Sequence, residues 1–165
     1  MEVNIQKSLD RIKLFADKSL PEYKDAITRE ACSLTGSTLS YFATINAAQD
    51  VLTMIGWSNS AMANCSMIDK PIVYKLVETG LWGDAVRERK AVITNDYKNL
   101  VKPTKKGYPE GHVNVRKHMN LPIFEQGKVA VVLGVGNKVN DYTLEDAKTL
   151  ETFMTEAWKT LKTKL

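Results

Sequence analysis

The stretch LSYFATINAAQDVLTMIGW, residues 39–57, reads as two strands joined by a turn. Residues 39–45 alternate in the strand manner, Asn46 to Asp50 are turn formers, and residues 51–57 are again rich in strand-forming side chains, with Trp57 at the end. So short a connection can only join antiparallel neighbours, because a parallel pair needs a crossover of a dozen residues or more. The expectation is an antiparallel hairpin over residues 39–57.

Outward toward the N-terminus the period changes. Ile5, Leu9, Ile12, Phe15 and Ala16 recur at three and four, which predicts an amphipathic helix within residues 1–18. Ser19-Leu20-Pro21 opens a second helix, since proline suits a first turn; Tyr23, Ile27, Ala31 and Leu34 form its buried stripe, and Gly36 ends it. Cys32 falls inside that helix as a small packing residue.

Outward toward the C-terminus, residues 58–70 show no clear period and predict a loop with a helical turn over the sheet, where a lid can sit. Residues 71–79 are ambiguous. Leu81, Ala85 and Val86 around Asp84 and Arg87 predict a short helix after Gly80, and Val92-Ile93-Thr94 a strand. Residues 98–110, with two prolines and four lysines, form a long exposed connection. Residues 113–124 and 128–135 then pair as strands about the turn Glu125-Gln126-Gly127. Pro122 donates no ladder hydrogen bond and so belongs at an edge, at a bulge or facing away from a partner. Gly134 and Gly136 end the strand as a turn or a close backbone approach, Asn137 tolerates left-handed geometry, and Lys138 faces solvent. Thr143 and Asp146 stand in capping-box spacing ahead of Leu144, Ala147, Leu150, Met154, Ala157, Trp158 and Leu161, the stripe of a long final helix over residues 143–165. The order is α+β rather than alternating βαβ: one antiparallel sheet of five or six strands, helices from both ends of the chain on one face, the mixed middle on the other.

Composition bounds the rest. A chain of 165 residues with 44% hydrophobic content has material for one core, hence a single domain over residues 1–165. The formal charge of +4 is spread along the chain and makes no nucleic-acid footprint. Cys32 and Cys65 build no disulfide framework, which points to a reducing compartment. No apolar run is long enough to span a bilayer and the acidic N-terminus is unlike a signal peptide, so the expected location is cytoplasmic, without membrane insertion.

Residues 80–112, GLWGDAVRERKAVITNDYKNLVKPTKKGYPEGH, concentrate Trp, Tyr, Asn, Asp, Arg and His around a short apolar strand. Buried polar groups cost free energy unless they find partners, so a core alone would not ask for this mixture. Four blocks stand in order: Gly-Leu-Trp-Gly-Asp-Ala-Val-Arg at residues 80–87, Asn-Asp-Tyr at 95–97, Gly-Tyr-Pro-Glu-Gly-His at 107–112 and Gly-Val-Gly-Asn-Lys at 134–138. With the element order, these blocks resemble the GAF domain family over nearly the whole chain. The closest likeness is to microbial GAF domains attached to histidine kinases and other signalling outputs.

The resemblance implies a small-molecule sensor whose pocket lies between the sheet and the segments crossing its outer face. Trp57, Trp82 and Tyr97 would then be aromatic walls, Asn95 and Asp96 directed polar groups, and Arg87 or Arg116 a charge for a carboxylate or phosphate. Each has a structural alternative: Trp82 plugging the sheet, Asp96 capping the next turn, Arg87 pairing with Asp84 or Glu88. Cys65 faces a cavity or packs as an ordinary thiol, and with His112 it makes a haem or redox reading available. His118 is the other histidine, and there is no Cys-x-x-Cys-His. The cofactor is otherwise unspecified. Asp84 and Asp96 are no evident acid/base pair, no triad or metal-spaced cluster is legible, and Gly134-Val135-Gly136 lacks the remainder of a nucleotide-binding loop. The domain itself is therefore read as a non-enzyme. A reactive-cysteine enzyme like the free methionine sulfoxide reductases is the alternative. The implied partners are a small ligand, a linked signalling output domain and a second copy, paired through exposed stripes on the terminal helices.

Overall fold

The computed structural model describes residues 2–58, 73–107 and 114–165. Cys65 and His112, with the expected lid at 58–70 beyond Ser58, lie outside the described residues. Helix α1 (Glu2–Lys13) and helix α2 (Leu20–Thr35) lead into strands β1 (Leu39–Ile45), β2 (Val51–Trp57) and β3 (Val73–Lys75). Two single 3-10 turns, Leu76–Glu78 and Leu81–Gly83, precede the short helix α3 (Asp84–Glu88). Strands β4 (Val92–Thr94), β5 (His118–Glu125) and β6 (Lys128–Gly136) and the long helix α4 (Leu144–Lys164) complete the order. The strands form one antiparallel sheet of six in the order β3-β2-β1-β6-β5-β4.

Local chemistry sets the helix ends. Ser19 caps α2 in a capping box with Glu22, Pro21 sits in the first turn, and Gly36 closes the helix at φ 70°. Thr143 and Asp146 repeat the capping box on α4. Helices α1, α2 and α4 cover one face of the sheet, where Phe42, Met119, Leu121, Ile123, Val131, Leu133 and Val135 meet Ile27, Leu150, Phe153 and Met154 in the main core. Arg11 fastens α1 to α2 through a bidentate pair with Glu30, both bonds 2.8 Å. The apolar stripes of α1 and α4, expected to be exposed for pairing with a second copy, are spent here: Ile12, Leu150, Met154, Ala157 and Leu161 are buried in the chain's own core. A two-layer fold has to cover its own sheet before it can offer those stripes to a partner.

One element boundary differs from expectation. The strand predicted over 113–124 begins only at His118. Asn137, at φ 60°, accepts from the Arg116 and Lys117 backbone N–H groups and donates to the Asn114 carbonyl, so Asn114, Arg116 and Lys117 bond to a side chain instead of a ladder. The ambiguous residues 71–79 hold the edge strand β3 and a 3-10 turn. Gly136 ends β6 as expected while Gly134 lies inside it, and Lys138 is tied to Asp146 at 2.7 Å instead of standing free in solvent. Pairing of β4 ends opposite Asn120, so Pro122 on β5 has no strand partner on that side. Among the described residues no helix is long and apolar enough to cross a membrane.

Candidate functional site

The face of the sheet turned away from the three long helices divides into an apolar end and a polar end. At the apolar end Ala43, Leu52, Val129 and Val132 are covered by Ala85 and Val86 of α3, with Trp82 packed beside them. Trp82 also meets Tyr74 of β3 edge-on, ring centroids 5.4 Å apart. This is hydrophobic closure of the sheet by α3 and the turn before it.

The polar end is built across three neighbouring strands. Register places Tyr41 of β1 opposite Gly134 of β6, and Gly134 opposite Asn120 of β5. A β-carbon at residue 134 would lie 2.2 Å from the Tyr41 ring, so only glycine lets the tyrosine lie across the middle strand. The Tyr41 hydroxyl then donates to Asn120 Oδ1. The other end of the amide, Asn120 Nδ2, stands 3.0 Å from His118 Nδ1. An amide nitrogen can only donate, so Nδ1 of His118 accepts and the imidazole proton sits on Nε2. Trp57, opposite Tyr41 on β2, extends the row to a fourth strand.

The electrostatics agree with a neutral imidazole. Burial pushes His118 down to about 4, with Lys102 acting the same way and the Asp84 carboxylate opposing it. Burial pushes the Tyr41 phenol well up, its bond to Asn120 opposing. Both groups are thus neutral near pH 7, and Tyr41, Asn120 and His118 form an uncharged row with its hydrogen-bond directions set.

Beside the row, Asp84 gathers two cations and a hydroxyl from α3 and the connection at 102–104. It is only 2% exposed and takes Arg87 Nε at 2.8 Å, Lys102 Nζ at 2.7 Å and the Thr104 hydroxyl at 2.6 Å. Burial would raise its pKa, but those bonds outweigh it and hold the carboxyl below its ordinary value. Arg87 spends its remaining donors on the carbonyls of Leu76, Thr79 and Gly80 and on the Thr79 hydroxyl. Asp84 and Arg87 together pin the turn at 76–80 and the connection at 102–104 onto α3.

The remaining expected site residues fall in different places. Tyr97 reaches the face: its ring is 6.0 Å from that of His118 and lies under the Lys105 ammonium at 4.5 Å. Asn95 turns to the loop before α4, bonding both the N–H and the carbonyl of Tyr142. Asp96 is exposed and caps its own turn through Asn99. Arg116 is exposed. The structure therefore brings Trp57, Trp82 and Tyr97 to the sheet face and gives Arg87, Asn95 and Asp96 partners within the chain. Tyr41 and Asn120 were missed. The signal for Asn120 was present in β5, where His118 and Asn120 alternate with Met119 and Leu121, giving that part of the strand one polar face.

A family profile described as the GAF domain matches residues 17–162. The chain is 42% identical over 158 residues to the methyl sulfide methyltransferase-associated sensor of Methanosarcina acetivorans. That alignment takes in 96% of this chain and 16% of the relative, so the chain spans about a sixth of the relative's length. Among solved structures, the GAF domain of an Acinetobacter phosphoenolpyruvate-protein phosphotransferase superposes with TM-score 0.72 at 15% identity, covering 96% of this chain and 92% of that one. The free methionine-R-sulfoxide reductase of Neisseria meningitidis, solved with its substrate, superposes with TM-score 0.69 at 14% identity, covering 97% and 89%. At such identities these structures speak for the fold alone, whereas the profile covers most of the chain. The six-stranded antiparallel sheet, its helical layer and the matched residues agree: the chain belongs to the GAF domain family.

Proposed function

We propose that the chain is the small-molecule-sensing domain of a signal-transduction protein. Its ligand would sit on the sheet face that carries Tyr41, Asn120 and His118, within walls formed by Trp57, Trp82 and Tyr97. The supporting observation is the neutral, hydrogen-bonded row lying on the face opposite the helical layer, beside the segments fastened by Asp84. Such a face presents directed polar groups without a net charge to neutralise, which suits recognition of a small molecule by shape and a few hydrogen bonds. Cys65, His112 and Arg116 complete the proposed lining. Binding would favour one packing of the terminal helices, and α4 would pass the change to an output domain, as in a histidine kinase system. The proposal includes a homodimer through the faces of the terminal helices left outside the core, where Leu14 and Leu144 are exposed, to be checked by light scattering with and without residues 1–18, and a cytoplasmic setting. Isothermal titration against a metabolite panel tests the sensing reading. The name of the Methanosarcina relative puts methylated sulfur compounds first in that panel. Silence of a folded sample across the whole panel refutes it.

A haem reading through His112 and Cys65 is narrowed by one observation. His118 does not fit an axial ligand as it stands, because ligation through Nε2 needs that nitrogen deprotonated, while the bond from Asn120 places the proton there. Haem would thus have to rely on His112. A Soret band on haem addition that survives His112→Ala and Cys65→Ala refutes that assignment. A reductase reading would depend on Cys65, since Cys32 lies in α2 with its thiol pKa raised by burial. Loss of activity toward free methionine sulfoxide in Cys65→Ser would be its signature.

A further inference from the structure

Residues 95–97 join β4 to two different parts of the molecule. On one side Tyr97 is held against the sheet face. Its N–H donates to the Arg116 carbonyl at 3.1 Å, its ring borders His118, and its carbonyl takes Lys105 Nζ at 2.6 Å. Lys105 also bonds the carbonyls of Lys98 and Leu100, so the segment after Tyr97 moves with it.

On the other side, two residues earlier, the Asn95 amide copies a strand neighbour. Its Nδ2 donates to the Tyr142 carbonyl at 3.1 Å, and its Oδ1 accepts from the Tyr142 N–H at 2.8 Å. Tyr142 is 3% exposed and is itself a junction. Its hydroxyl accepts from the Lys138 N–H at 3.2 Å and shares a 2.7 Å bond with Ser37, which shares a 2.6 Å bond with Thr35 at the end of α2. The next residue, Thr143, is the N-cap of α4. The backbone groups of Tyr142 thus depend on the side chain that follows the edge strand, while its ring end is tied to α2.

A two-point amide bond responds steeply to displacement. Both bonds need the amide coplanar with the Tyr142 peptide groups, and hydrogen bonds weaken sharply once the angle falls away. A shift of residues 95–97 that tilts the amide therefore loosens both bonds together. We infer that Asn95 couples the polar face of the sheet to the first turn of α4, so that displacing Tyr97 alters the capping of α4 and, through Ser37 and Thr35, the end of α2. This rests on the sensing role proposed above, to which it adds a route of transmission.

The test uses the full chain without any ligand. Amide hydrogen exchange is measured at Asp146, whose N–H is held by the Thr143 cap, and at Ala147, whose N–H is held by the Thr143 carbonyl. Four samples are compared: parent, Tyr97→Ala, Asn95→Ala and the double variant. Tyr97→Ala is expected to speed exchange at both amides about fivefold in the parent, on the order of one net hydrogen bond lost. It should add nothing in the Asn95→Ala background. If the Tyr97→Ala effect is absent, or equal in the two backgrounds, the coupling is refuted. Where Asn95→Ala does not fold, Asn95→Asp replaces it in the same cycle, since a carboxylate cannot donate to the Tyr142 carbonyl, and the same comparison decides. Because no ligand enters, failure of the metabolite panel and failure of this cycle are distinguishable results.

Discussion

His118 offers a measurable consequence of the buried polar row. The imidazole is 5% exposed, its Nδ1 accepts from Asn120, and burial brings its pKa from the ordinary 6.5 down to about 4. In the unfolded chain the same histidine takes a proton near pH 6.5. Between about 4 and 6.5 the unfolded state therefore binds more protons than the folded one, and stability must rise with pH across that window and fall on acidification. At about 1.4 kcal/mol per tenfold, the full window is worth about 3 kcal/mol, of which about 2 kcal/mol is lost between pH 7 and pH 5. Carboxylates held below their ordinary values, such as Asp84 and Glu30, lose their contributions at lower pH, so the upper part of the window belongs mainly to histidine. The assay is urea denaturation at half-unit pH steps from 7 to 5, comparing the parent with His118→Asn, which keeps an acceptor near the Nδ1 position and cannot titrate. The parent curve should fall by about 2 kcal/mol relative to the variant. Parallel curves would refute the claim that His118 is buried and neutral.

Three further expectations follow from the same geometry. Asp84→Asn removes the carboxylate that pins 102–104 and Arg87; because both cationic partners are partly exposed, the expected loss is about 2 kcal/mol, read by urea denaturation, with earlier proteolysis in residues 97–107. Gly134→Ala drives a methyl group into the Tyr41 ring and should cost about 1–3 kcal/mol; in a Tyr41→Ala background most of that cost should vanish, and its persistence would rule out the clash as the cause. Thr143→Ala deletes the cap of α4 and should lower stability by about 1 kcal/mol with an unchanged denaturant slope.

What was legible in advance was what depends on neighbours in the chain. Alternation and a polar turn delimit β1 and β2 at the residues observed, and Ser19, Pro21, Gly36 and Thr143 mark helix ends, because a cap or a turn is chemistry among residues a few positions apart. The four blocks and the element order also pointed to the family that the profile identifies. The polar row belonged to the tertiary structure. Tyr41 and Asn120 are 79 residues apart and meet only because β6 lies between β1 and β5 with Gly134 at the crossing. For the same reason Arg87 and Asn95 suggested ligand contacts when read as isolated polar side chains. Apart from the Asp84 carboxylate and the Thr79 hydroxyl that Arg87 also meets, their partners are carbonyls and N–H groups that every residue carries, and only the folded backbone decides which of these stands within 3 Å.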